Sequence, residues 1–256
     1  MNAKMTWIGT SWKMNKTIAE SLAYVRELAS ADFPTGIQPF IIPPHTALAS
    51  VRAALPADSR VLLGAQNAHW AREGAFTGEV SMSMIADAGA RIVELGHSER
   101  RAMFAETDQT VGLKVRAAID AGLIPLICVG ESSDQRDIGL AEETNAYQAL
   151  AAIARLTPQE ASQVIVAYEP VWAIGEHGRP ATLAETSPVM AALAAAMQRA
   201  TQGAGCRALL YGGSVNPENT PELLADPNTD GLFIGRSAWS ADGLLRIIGL
   251  AAAARS

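Results

Sequence analysis

Short apolar runs alternate with amphipathic, alanine-rich segments along the whole chain, and this alternation limits its fold more than any other feature. Eight runs have strand length: 7–12, 40–42, 61–65, 91–95, 124–129, 164–168, 208–211 and 231–234. Near-continuous apolarity over four to six residues is the signature of strands covered on both faces, as in a parallel sheet. Segments 18–29, 110–121, 142–154, 187–200 and 217–225 read as helices, several of them opening on Thr, Ser or Pro. No Pro/Gly/Ser linker or shift in composition divides the 256 residues. The prediction is an α/β fold in which residues 1–256 form one domain, an eightfold (β/α)8 barrel. A doubly wound sheet is the structural alternative. It predicts a glycine-rich dinucleotide turn after the first strand, and Gly9-Thr10-Ser11-Trp12-Lys13 lacks the G-x-G-x-x-G spacing.

The charge balance removes several classes of partner. With a net charge of −6 and no run of Lys and Arg, the chain offers no stripe for a nucleic-acid backbone. Cys128 and Cys206 have neither disulfide-framework nor metal-thiolate spacing, so a reducing cytoplasm is expected. No apolar run approaches the roughly 18 residues of a membrane span, and no signal-like stretch precedes Trp7-Ile8-Gly9. His45 and His69 lack metal-ligand spacing and read as loop contacts; no metal and no cofactor are expected.

In a β/α barrel, chemistry gathers where strands end. Strand one ends in Ser11-Trp12-Lys13-Met14-Asn15, and strand four in Glu94-Leu95-Gly96-His97-Ser98-Glu99-Arg100-Arg101. Strand six ends in Glu169, with Pro170 stopping it one residue later, and the last two strands end in Gly212-Gly213-Ser214 and Gly235-Arg236-Ser237. A cation, an imidazole and a carboxylate therefore converge, with glycine turns beside them. His97 just before a helix start disfavours the imidazolium form. The amide of Gly175, Ser214 after its glycines, and Gly235 can present N–H groups to a phosphate. Residues 174–181 read as a lid tip between hinges, with His177 facing solvent and given no role.

In order along nearly the whole length, W-K-M-N, G-H-S-E-R-R, A-Y-E-P-V-W-A-I-G and Y-G-G-S-V resemble the triosephosphate isomerase family. The resemblance implies a TIM barrel and a cofactor-free isomerase of short phosphorylated sugars. Glu169 would be the base that removes a proton beside a carbonyl, a contribution of about 10²- to 10⁴-fold. His97, working neutral, would pass a proton between the enediol oxygens; this pairing of carboxylate and neutral histidine comes with the resemblance. Lys13 would stabilise the enediolate, with Glu99 orienting it. Loop 67–81 resembles the family's dimer loop, which implies a homodimer in which Thr77 packs near the partner's site. A mobile surface loop is the alternative.

Three positions depart from the family pattern. Ser11 stands where Asn usually precedes W-K-M-N, Arg179-Pro180-Ala181 replaces K-T-A, and Gly235-Arg236 replaces paired glycines. With these features the chain resembles the L-erythrulose-1-phosphate isomerase branch. Ser11 would free volume and leave a hydroxyl for the extra hydroxymethyl group. Triosephosphate isomerase itself, interconverting dihydroxyacetone phosphate and D-glyceraldehyde 3-phosphate, is the alternative, and an inactive phosphosugar-binding barrel stands behind it. A Schiff-base lyase or aldolase would want a desolvated lysine, which Lys13 beside acidic partners does not fit.

Overall fold

A computed structural model describes residues 5–175 and 178–255. Eight parallel strands close into a barrel in sequence order, β1 pairing with β8. The strands are β1 (Thr6–Ser11), β2 (Ile37–Ile42), β3 (Leu62–Ala65), β4 (Ile92–Leu95), β5 (Ile124–Val129), β6 (Ile165–Tyr168), β7 (Ala208–Tyr211) and β8 (Gly231–Ile234). In chain order the helices are α1 (Ile18–Ala29), α2 (Leu48–Ala54), α3 (Met82–Asp87), α4 (Ser98–Met103), α5 (Asp108–Asp120) and α6 (Ser133–Asp137). They continue with α7 (Ala141–Ile153), α8 (Pro158–Ala161), α9 (Leu183–Ala200), α10 (Thr220–Ala225) and α11 (Ala241–Arg255).

Strand periodicity sorts the apolar residues into two cores. Trp7, Phe40, Ile42, Ile92, Leu126, Ile165, Leu210 and Phe233 pack together inside the barrel. Their strand neighbours Ile8, Ile41, Val93, Leu95, Ile127, Val166 and Leu232 face outward against the helices. A strand sandwiched in this way has no polar face, which explains the unbroken apolar runs.

Element boundaries moved where a local signal misled. β2 starts at Ile37, three residues before the expected strand, and runs through Pro39. The proline lies one residue before the β2–β3 ladder begins at Phe40, where a missing donor on that side costs nothing. α9 starts at Leu183 rather than 187 because Thr182 and Glu185 form a capping box, and Pro188 sits inside the helix. α10 starts at Thr220 rather than 217, since the side chains of Asn216 and Asn219 accept from each other's backbone N–H at 2.9 and 2.8 Å. α11 lies outside the expected helices; Gly243 weakens its pattern and is needed there, because a Cβ would approach Ser237 O to 2.2 Å.

Candidate active site

The first polar residues after the strands meet at the carboxyl end of the barrel. One cavity of about 440 Å³ is lined by Ser11, Lys13, His97, Glu99, Glu169, Gly175, Ser214, Gly235 and Arg236. The fold thus gathers every expected site residue of the chain except Thr77, which is exposed on loop 67–81 beside a separate groove with Trp70 and Phe76. Glu176 and His177, expected at the lid tip, lie outside the described residues.

Lys13 is held by backbone strain and side-chain bonds. Its φ of 52° lies in the left-handed region, which costs a non-glycine residue about 1–2 kcal/mol. Gln66 Nε2 donates to Lys13 O at 2.8 Å, and Trp239 Nε1 donates to Ser11 O at 3.0 Å, which pins the end of β1. Fully buried Trp12 packs edge-on against Tyr24 beneath the turn. The ammonium donates to Glu99 Oε1 at 2.7 Å, so the cation is aimed across the cavity rather than into solvent.

His97 is the N-cap of α4, and its Nδ1 accepts from the Glu99 amide at 3.1 Å. That bond places the ring's own N–H on Nε2, the atom facing the cavity. Arg101 fixes the turn by donating to Gly96 O at 2.7 Å and pairing with Asp108. His97 Nε2 and Glu169 Oε2 stand 3.7 Å apart, both side chains almost wholly buried.

Glu169 is clamped from two sides by glycines. A Cβ on Gly130 would come within 2.0 Å of Glu169 O, and one on Gly212 within 2.8 Å of Glu169 Cγ. The Glu169 amide bonds Val129 O at 2.7 Å, continuing the ladder past the strand end. Its Oε2 is buried without a hydrogen-bond partner among the described residues, as suits a carboxylate that receives a proton from a substrate. Behind it, Tyr168, Trp172 and Asn145 donate to the fully buried Glu131, which ties the segment after Pro170 to β6. Trp172 is flanked by the guanidinium groups of Arg136 and Arg179.

The opposite wall is backbone. Gly175 has φ 83°, which glycine adopts without strain, and Gly235 opens onto free space where a Cβ would be. Arg236 Nη2 donates to Gly175 O at 3.3 Å, bridging the loop after β8 to the segment after β6. A wall of amides, one hydroxyl and one guanidinium suits a phosphate.

His45 and His69 serve loops, as expected. His45 Nε2 meets Asn67 O at 2.7 Å, and His69 Nδ1 accepts from Ala71 N at 3.0 Å.

The sequence reading gave no role to two residues beside the site. Cys128 lies on the inner face of β5, and burial beside the Glu169 and Glu94 carboxylates pushes its thiol well above the usual range. Glu94 also faces inward, sharing the inner face of β4 with Ile92, and is 3% exposed. Burial raises its carboxyl to about 7; Glu169 adds to the rise, while His97, the Ser11 hydroxyl and Lys13 oppose it. The available signal was a lone acid inside the apolar run Ile92-Val93-Glu94-Leu95.

A family model described as triosephosphate isomerase matches residues 6–251. An L-erythrulose-1-phosphate isomerase of Mycolicibacterium smegmatis is 52% identical over 258 residues, covering 99% of this chain and 95% of that protein. Proteins of the same name from Mesorhizobium japonicum and Rhizobium rhizogenes are 51% and 52% identical over 251 residues each. The alignments cover 97% and 96% of this chain and 98% and 95% of those relatives.

Proposed function

Because the chain belongs to the triosephosphate isomerase family, we propose that it moves a carbonyl along a short phosphorylated sugar, converting L-erythrulose 1-phosphate into D-erythrulose 4-phosphate through an enediolate. The observation that carries this reading is the single cavity joining Lys13, His97 and Glu169 to the glycine wall of Gly175, Ser214 and Gly235. The four-carbon substrate comes from the relatives' names.

In this mechanism the phosphate rests on the glycine wall and Arg236, leaving C2 and C3 between the three reacting side chains. Glu169 takes the proton from C3, and the electron pair forms the C2–C3 double bond while charge moves onto O2. Lys13 stabilises that charge, an effect worth roughly 3–4 kcal/mol at a preorganised donor. His97 gives its Nε2 proton to O2 and takes one from O3, and Glu169 returns a proton to C2. C2 ends reduced to the alcohol level and C3 oxidised to the ketone, with no net gain or loss of atoms. Closure of the lid expected over residues 174–181 would keep water away from the enediolate, which would otherwise expel phosphate.

The assembly is a homodimer within a cytoplasmic setting, and Thr77 reaches the partner's site. Exposed Met14, Trp70, Phe76 and Phe104 supply apolar surface for such a contact. Among the described residues no helix is long and apolar enough to cross a membrane.

Measured kcat/KM on L-erythrulose 1-phosphate, dihydroxyacetone phosphate and glyceraldehyde 3-phosphate tests the reading, with Glu169→Ala as the blank. Preference for the four-carbon ketose is expected. Preference for the trioses would make the chain a triosephosphate isomerase, as the family model is described, and inactivity on all three would leave a binding protein.

A further inference from the structure

Glu94 is the group that the mechanism leaves unused. It occupies an inner-face position of β4 where the other strands place Ile, Leu, Phe and Cys, and burying a carboxyl there costs several kcal/mol unless something compensates. Compensation is incomplete: Ser11 and Lys13 nearby offset part of the burial, yet Oε2 is buried with no partner among the described residues. A fold that only needed to fill this space would do better with an aliphatic side chain.

The position gives the carboxyl a purpose. A second cavity of about 410 Å³ is lined by Glu94 and by Gln66 and Asn67 of the loop after β3, and it meets the first at Ser11, Lys13 and His97. Glu94 does not line the phosphate side. A substrate with its phosphate on the glycine wall and its reacting carbons between Lys13, His97 and Glu169 therefore points its remaining end at Ser11 and Glu94. In a triose that end is a hydrogen; in the tetrulose it is a hydroxymethyl group.

We propose that Glu94, beside Ser11 where the two cavities meet, hydrogen-bonds the terminal hydroxyl of the four-carbon substrate and is the residue that selects four carbons over three. This rests on the four-carbon reading above. A buried acceptor left unpaired by a triose disfavours that substrate, whereas the tetrulose hydroxyl satisfies it. Ser11, which lines both cavities, has a smaller part, its hydroxyl offering the terminal group a second partner.

The test compares kcat/KM for L-erythrulose 1-phosphate and dihydroxyacetone phosphate in the wild type, Glu94→Leu, Glu94→Gln and Ser11→Ala. In Glu94→Leu the four-carbon to three-carbon ratio should fall about 10- to 100-fold, with triose turnover kept or improved. Glu94→Gln, which still offers an acceptor, should recover part of the ratio. If the leucine variant fails to fold, Ser11→Ala carries the test with a severalfold fall. An unchanged ratio in folded variants, or equal losses on both substrates, overturns the assignment, because a carboxyl that merely positions Glu169 would act on both alike. A wild type that prefers trioses overturns the substrate reading itself, and Glu94's role with it, before any variant is made.

Discussion

Gly212→Ala perturbs the proposed base without changing any charge. The added Cβ would stand 2.8 Å from Glu169 Cγ and 3.1 Å from Oε1, where ordinary carbon contacts are about 3.5–4.0 Å. Gly212 N is tied to Tyr168 O at 2.8 Å, so the β7 end cannot easily retreat and the glutamate must withdraw by roughly 1 Å. A shift of that size in a reacting group costs about 100-fold in rate, or roughly 2.7 kcal/mol of barrier. Overpacking should lower stability by about 1–3 kcal/mol, which a barrel of this size survives. Steady-state kinetics on the four-carbon ketose phosphate should show kcat down about 100-fold, with competitive inhibition by inorganic phosphate unchanged. A folded variant with kcat within threefold of wild type would refute the reasoning. Weakened phosphate inhibition at normal kcat would instead mean that the glycine serves the phosphate.

Trp172→Phe removes the indole N–H that Glu131 Oε1 accepts at 2.7 Å; with Tyr168 and Asn145 still donating, urea denaturation should report a loss of about 1–3 kcal/mol. Loss within 0.5 kcal/mol would mean water replaces the indole. Glu94 supplies a pH signature. Burial holds its folded carboxyl at about 7 against an ordinary value of about 4.5, so the folded state binds the extra proton and stability declines as pH rises from about 4.5 to about 7. The full penalty, about 3 kcal/mol, is present only above pH 7. Relative to wild type, Glu94→Gln should therefore gain stability by about that amount between pH 5 and pH 8 in paired denaturation curves, whereas parallel curves would show that Glu94 is not buried as an acid.

The barrel was legible because its evidence is repeated eight times: each apolar run is a strand covered on both faces, and a misplaced boundary such as that of β2 does not alter the count. The polar lining of the cavity was legible where a polar residue follows such a run directly or after one glycine, as with Lys13, His97 and Glu169. Boundaries were lost where two local signals compete, as Ser187-Pro188 inside α9 competes with the capping box of Thr182. Glu94 was lost for another reason. A single acid in a strand is ambiguous until the register shows which face it takes, and only closure of the barrel places it beside Ser11 and Glu169. Cys128 was hidden in the same way, apolar by composition yet in contact with a carboxylate.

Charge at the barrel mouth also fixes which way round a substrate can lie. Glu94 and Glu169 occupy its interior side, while Arg236 and the glycine turns form the outer wall by the segment after β6. A phosphate placed beside Glu94 would face carboxyl oxygens that have no donor to offer when ionised, whereas on the glycine wall it meets amides and a guanidinium. The phosphate end and the hydroxymethyl end therefore cannot exchange places, although both are polar and the two cavities are of similar size. Orientation in turn decides the chemistry, because both carbons flanking the ketone of L-erythrulose 1-phosphate carry acidic protons. With the phosphate on the glycine wall, Glu169 reaches only the carbon on the far side of the carbonyl. Proton nuclear magnetic resonance of the ketose recovered from deuterium oxide should accordingly show label at C3 and none at the phosphate-bearing C1. Label at C1 would mean that the substrate also binds reversed and that the acids at the barrel mouth do not orient it.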